Sequence, residues 1–155
     1  MEVAAPADFR RDTAVQAIGG GRFTAEIKEA WSGPPGPNGG YVAAIILRAI
    51  RAMVDDPARQ PRSLTVHYLR PPADGAVEIS VEIERSGRSA TTCSAGMMQG
   101  GKTTCLALCV LSGDFESAAN WFRQFLETNP DPGTAQSVRE VLSDWEREGR
   151  IIKTP

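Results

Sequence analysis

From Tyr41 to Val54 the chain reads YVAAIILRAIRAMV, and Arg48 and Arg51 are the only charged residues in it. A helix that is apolar around almost its whole circumference has no face to offer water, so the rest of the fold must enclose it. Both arginines fall near the C-terminal end, where cations suit the helix dipole, and Asp55-Asp56-Pro57 ends the run. The preceding loop, Pro34-Pro35-Gly36-Pro37-Asn38-Gly39-Gly40, is stiff and delivers a favoured N-cap residue, Asn38. The expectation is a helix over 38–54 whose N-terminus opens into a buried pocket. First-turn N–H groups, unpaired within the helix and at the positive end of its dipole, suit an oxygen that turns negative during a reaction. Glycines at 39 and 40 let a ligand approach that backbone closely.

Period-two alternation supplies what encloses the helix. Residues 21–28 read as a first strand, followed after the helix by 63–70, which ends at Pro71-Pro72. Val77, Ile79, Val81 and Ile83 then alternate with Glu78, Ser80, Glu82 and Glu84, the pattern of a strand with one wet face. Residues 88–98 and 102–111 complete the series, with Gln99-Gly100-Gly101 turning between them. The expected plan is α+β: an antiparallel sheet of about five strands wrapped around one long central helix. Residues 1–20 read as a loose lead-in. From Phe115 the pattern becomes helical, with Phe115, Ala118, Ala119, Phe122 and Leu126 on one face. After the break at 129–133, Val138, Val141, Leu142 and Trp145 share another face, and Gly149 sits as a helix stop. The expected division is a domain over 1–114 and a helical C-terminal extension over 115–155.

Composition excludes several functions. A net charge of −2 with interspersed signs offers no nucleic-acid or anionic-membrane footprint, and the apolar run from Tyr41 to Leu47 is far too short to span a bilayer. The N-terminal residues Glu2, Asp8, Arg10 and Arg11 lack the basic-then-apolar order of a signal peptide, so a cytoplasmic location is expected. Cys93, Cys105 and Cys109 read as reduced, buried thiols. A single histidine, His67, makes no metal site, and no cofactor is expected. The stretch Gly96-Met97-Met98-Gln99-Gly100-Gly101-Lys102-Thr103 matches the phosphate-loop pattern G-x-x-x-x-G-K-[ST] letter for letter. That motif needs a long helix after it, whereas residues 104–110 lean towards β structure, so we read a hairpin turn instead.

Asn38-Gly39-Gly40-Tyr41 opening the helix, His67-Tyr68-Leu69-Arg70-Pro71 closing the next strand, and Arg85-Ser86-Gly87-Arg88-Ser89 at the following hairpin together carry a resemblance. From Arg22 to Ser112 the chain resembles the hotdog-fold acyl-CoA thioesterases, and most closely the N-terminal repeat of the type II enzymes that hold two hotdog repeats. The resemblance implies hydrolysis of acyl-CoA by a positioned water, in a groove between two paired hotdog units. It implies that Gly39 and Gly40 donate to the oxyanion while Asn38 caps the helix or touches substrate. It further implies that Tyr41, Tyr68, Gly87, Arg88 and Ser89 contact substrate, with Arg88 on a CoA phosphate, and that His67 is a candidate general base. A homodimer or larger assembly is expected, because an open sheet edge invites pairing.

Two departures stand against this. The two-repeat enzymes keep their catalytic acid in the second repeat, where this chain turns helical. Single-repeat hotdog thioesterases commonly place a carboxylate on the central helix, which here carries none between Tyr41 and Val54. Asp55 and Asp56 come about 24 Å beyond its start. The alternative reading is therefore a non-catalytic acyl-binding or assembly subunit.

Overall fold

The computed structural model describes residues 6–113 and 115–151. The chain divides into two compact units. One holds the chain as far as Asp56 together with Pro61–Leu111; the other holds Pro57–Gln60 and the chain from Ser112 onward.

The first unit is built on a six-stranded sheet and one long helix. In chain order the elements are α1 (Phe9–Asp12), β1 (Gln16–Gly19), β2 (Arg22–Ile27), a 3-10 turn (Glu29–Trp31), the short pair β3 (Ser32–Gly33) and β4 (Gly36–Pro37), α2 (Gly39–Val54), β5 (Arg59–Tyr68), β6 (Gly75–Ser86), β7 (Ala90–Gln99) and β8 (Lys102–Gly113). Spatial order is β1-β2-β6-β7-β8-β5. The chain thus leaves β2, runs through α2 to the opposite edge at β5, and returns to pair β6 with β2. Four strand spacings separate β2 from β5, about 19 Å, a gap that the roughly 24 Å length of α2 can bridge.

Alternation decides which face of the sheet meets the helix. Phe23, Ala25 and Ile27 of β2 are buried and lie beside Val77 and Ile79 of β6, with Phe23 opposite Ile79 and Ala25 opposite Val77. On β7, Cys93, Ala95 and Met97 oppose Ile83, Val81 and Ile79 in turn. Cys105, Ala107, Cys109 and Leu111 continue the layer on β8. Tyr41, Val42, Ile45, Ile46, Ala49 and Ile50 of α2 fill the space this layer surrounds. The register between β6 and β7 slips once, between Ile83 and Arg85, leaving Glu84 as the extra residue of a bulge. The phosphate-loop look-alike is the β7–β8 hairpin. Gly100 and Gly101 take φ of 55° and 73° at its tip, successive positive angles that suit a tight hairpin turn.

The structure corrects the lead-in. That stretch contains α1 and β1, and β1 adds a sixth strand to the roughly five expected. Asp12 and Thr13 are buried despite their polarity. Local side-chain bonds, which periodicity cannot register, hold this segment. Asp8 caps α1 by accepting from the Arg11 amide at 2.8 Å, and the Thr13 hydroxyl donates to the Phe9 carbonyl at 2.5 Å.

The second unit contains α3 (Phe115–Glu127) and α4 (Pro132–Arg147). Ala119, Leu142 and Ile151 are its buried core, with Phe122, Leu126, Val138 and Trp145 packed around them. Val141, expected on the inner face, is exposed. Asp131 caps α4 through the Thr134 amide at 3.1 Å, and Gly149, at φ 67°, lies just past its end. Among the described residues no helix is long and apolar enough to cross a membrane.

Candidate functional site

The start of α2 is set by one carboxamide. Asn38 Oδ1 accepts from the Gly40 amide at 2.9 Å and from the Tyr41 amide at 3.2 Å. The Asn38 backbone N–H donates to the Trp31 carbonyl at 2.9 Å, and the Asn38 carbonyl accepts from Val42 at 3.1 Å. Two donors remain without a partner among the described residues: the Gly39 amide and the Asn38 Nδ2 group. Of the two amides expected to serve as oxyanion donors, that of Gly40 donates to the Asn38 cap. An Asn at this position has a second consequence that Ser, Thr or Asp would not have, since it can cap with its oxygen and still present an NH2.

Tyr68 stands over this helix start. Its hydroxyl donates to the Gly39 carbonyl at 2.6 Å, and a Cβ on Gly39 would meet the phenol Cζ and Oη at 3.3 Å. Leu64 and Val66 pack against the core, so even-numbered residues of β5 face the helix and Tyr68 lies on their side. His67 takes the opposite face by strand alternation and is exposed.

Tyr41 lies inside the fold. Its side chain is 1% exposed and makes an anchor instead of a substrate surface. The hydroxyl accepts from the Lys28 amide at 3.2 Å and lies 2.9 Å from the Asp12 carbonyl and 3.1 Å from the Glu26 carbonyl. Its ring stacks on Trp31 at 5.3 Å, and Phe9 meets Trp31 edge-on at 5.4 Å. Trp31 Nε1 donates to the Asp12 carboxylate at 3.1 Å. That carboxylate also accepts from Arg11 Nε at 2.8 Å and the Asp8 amide at 2.9 Å. These donors, Arg11 foremost, hold the Asp12 carboxyl well below the ordinary carboxylate range. Burial raises the phenol pKa of both Tyr41 and Tyr68.

A carboxylate that sequence reasoning passed over lies at this end of the fold. Asp74 Oδ1 accepts from Ser32 Oγ at 2.8 Å, and Ser32 is paired with Pro37, the residue before Asn38. The segment 71–74 is held there from both sides. Pro71 packs against Gly36, where an added Cβ would lie 2.7 Å from the Pro71 Cβ. Gln99 accepts from the Ala73 amide at 2.7 Å and donates to the Ala73 carbonyl at 2.8 Å, acting as a neighbouring peptide would. The sequence clue was positional: Asp74 precedes Gly75, whose φ of 112° marks the turn into β6.

The pocket expected at the helix start is not enclosed within this chain. Asn38 and Gly40 are exposed and Tyr68 is 51% exposed. A groove of about 840 Å³ lies instead towards the other end of α2, beside Met53, with Gly21, Val81, Ala95 and Leu106 on its walls. Gly87, Arg88 and Ser89 form the β6–β7 turn, where the Gly87 amide donates to the Ala90 carbonyl at 2.9 Å. They stand at the end of β6 remote from Gly75, about 35 Å along the strand. One chain therefore does not bring Arg88 and Gly39 to a single site.

Comparison with known proteins agrees with this architecture. Residues 27–113 match the family model described as acyl-CoA thioesterase N-terminal domain. An uncharacterized protein of Mycobacterium tuberculosis is 29% identical over 93 residues, 57% of this chain and 32% of that protein. A Thermobifida fusca protein assigned as a thioesterase II superposes with a TM-score of 0.62 at 25% identity, over 67% of this chain and 38% of that one. A protein of unknown function with the hotdog fold from Alicyclobacillus acidocaldarius gives 0.61 at 29% identity, over 70% of this chain and 40% of that one. The fold alone is shared with a Bacillus halodurans protein crystallised with CoA, at TM-score 0.57 and 17% identity, over 63% of this chain and 70% of that one. This chain thus spans about a third of the curated relatives it matches and about two fifths of these first two solved ones. The wrapped helix, the strand order and the matched residues agree: this α+β chain has the hotdog fold and belongs to the acyl-CoA thioesterase N-terminal domain family.

Proposed function

We propose that this chain hydrolyses acyl-CoA thioesters at the start of α2. The observation that carries the reading is the pair of donors without a partner there, the Gly39 amide and the Asn38 NH2, under a half-exposed tyrosine. Water adds to the thioester carbon and gives up a proton to solvent, and the carbonyl oxygen becomes an oxyanion held by these two N–H groups. Its collapse re-forms the C=O and breaks the C–S bond, the CoA thiolate leaving to take up a proton. Membership of a thioesterase family supports the reaction class, and a protein of this fold crystallised with CoA supports the fold as a holder of such a ligand.

The site's exposure in one chain favours completion by a second hotdog unit. β5 is an edge strand of ten residues, and an open edge of that length invites pairing. Pairing there would bury Tyr68 and the helix start, and a two-fold axis can set one unit's helix start against the other's Arg88 turn. We take the assembly to be a homodimer or larger, with the chemistry in the hotdog domain over 1–114.

The test is release of CoA thiol from short- and medium-chain acyl-CoA, followed with a thiol reagent on purified protein. We expect turnover that Asn38→Ser lowers about a hundredfold, because Ser keeps a cap but offers no NH2. A second reading, an acyl-binding or assembly subunit without catalysis, is favoured by the absence of any carboxylate on α2 between Tyr41 and Val54. Saturable acyl-CoA binding with no turnover on any chain length selects it.

A further inference from the structure

We infer that Tyr68 is a positioning residue for the oxyanion donors, acting through a single peptide group; the inference rests on the hydrolase reading above. The three bonds run in series. Tyr68 Oη–H donates to the Gly39 carbonyl oxygen at 2.6 Å. That carbonyl belongs to the same peptide unit as the Gly40 N–H, which donates to Asn38 Oδ1 at 2.9 Å. A donor on a peptide oxygen polarises the unit and strengthens the bond its N–H makes, so the chain of bonds is cooperative. Its end point is the Asn38 carboxamide, whose Oδ1 accepts from both the Gly40 and the Tyr41 amides and whose NH2 is the other polar group on the same rigid amide. Tyr68 thereby sets the direction of a donor it does not touch.

The local sequence is restricted to match. The phenol approaches Gly39 so closely that any Cβ there meets Cζ and Oη at 3.3 Å. A side chain at 39 would have to move the tyrosine ring by a few tenths of an ångström. His67, one residue earlier, lies on the other face of β5 and takes no part.

Tyr68→Phe removes the hydroxyl and leaves the ring. The expected result is a kcat lowered about threefold to tenfold with KM within a factor of two, in protein whose melting midpoint stays well above the assay temperature. In the 1H–15N spectrum the Gly40 amide should move upfield and the Asn38 NH2 pair should shift, a signature that a mere packing loss on β5 would not give. Gly39→Ala, whose Cβ would meet the ring at 3.3 Å and press the phenol away from the carbonyl, should show a kcat loss in the same direction. Active wild type with an unchanged kcat in Tyr68→Phe overturns the inference and leaves the hydrolase reading intact. Inactive wild type overturns the hydrolase reading. The inference then falls if the Gly40 and Asn38 resonances do not move, and its structural part holds if they do.

Discussion

Tyr41→Phe tests whether this tyrosine is an anchor or a substrate contact. The substitution removes one oxygen and leaves the ring stacked on Trp31 at 5.3 Å. That oxygen accepts from the Lys28 amide at 3.2 Å and can donate its one proton to the Asp12 carbonyl at 2.9 Å or the Glu26 carbonyl at 3.1 Å. The wild-type hydroxyl therefore makes two bonds at a time, and both are lost. At about 0.5–1.5 kcal/mol for each bond, the predicted cost is about 1–3 kcal/mol. Urea unfolding followed by tryptophan fluorescence reads this directly, and the m-value should stay constant because the exposed surface hardly changes. Affinity for acyl-CoA should be unaltered, since the side chain is 1% exposed. A loss below about 0.5 kcal/mol, or a clear drop in affinity with stability intact, would refute the anchor argument.

Further outcomes follow from the same geometry. Asn38→Ala should cost about 1 kcal/mol through the lost cap, while Asn38→Ser should stay within a few tenths, as paired thermal melts would reveal. The Asp12 carboxyl is held below its unfolded value near 4, so the fold binds fewer protons there than the unfolded chain. Its stabilisation is complete above about pH 4 and is lost as pH falls towards the folded value. Asp12→Asn should therefore lower the melting midpoint at pH 7 and flatten the acid limb, and an acid limb as steep as wild type would contradict this. Burial pushes the Cys109 thiol up to about 11, with the Cys93 sulfur adding to the shift. With Cys93 and Cys105 also buried, a thiol reagent at pH 8 should find no reactive thiol in the folded protein and three in urea.

Legibility followed the kind of force that fixes each element. β6 could be read residue by residue, because alternation of Val77, Ile79 and Val81 with Glu78, Ser80 and Glu82 is a property of the strand alone. The central helix was plain in extent, but not in burial: Tyr41, Val42, Ile45, Ile46, Ala49 and Ile50 form one buried face, whereas Ala43, Ala44 and Leu47 are partly open and Ala52 is exposed. The hairpin at Gly100-Gly101 was readable because two positive φ angles demand particular residues. α1 and β1 carried no such signal. α1 is held by its local caps and by Asp12 meeting Trp31, nineteen positions away, and Tyr41, twenty-nine away, and β1 by its pairing with β2. Tyr41 entered the site through the resemblance alone, and nothing in its local sequence signals that its ring stacks on Trp31 and its hydroxyl bonds the backbone of Asp12, Glu26 and Lys28. The bond the cap makes to Gly40 could have been anticipated: an N-cap side chain accepts from the second or third amide of its helix, and here Asn38 accepts from both.

The same cap geometry explains why the first-turn glycines differ in role. Gly39 carries the free amide, and its missing Cβ admits the Tyr68 phenol. Gly40 has its amide bound to Asn38, and an added Cβ there would lie 3.2 Å from Asn38 Oδ1, the atom that bonds it. Alanine at 40 would therefore press on the carboxamide and leave the phenol alone, whereas alanine at 39 would press on the phenol first. If the donors at this helix start act on a thioester, both substitutions should slow turnover, but only Gly40→Ala should do so with the Tyr68–Gly39 bond intact. Ultraviolet difference spectra of the phenol would separate them: a Tyr68 shift in Gly39→Ala and none in Gly40→Ala. Equal phenol shifts in the two variants would mean that the bonds do not run in the order drawn here.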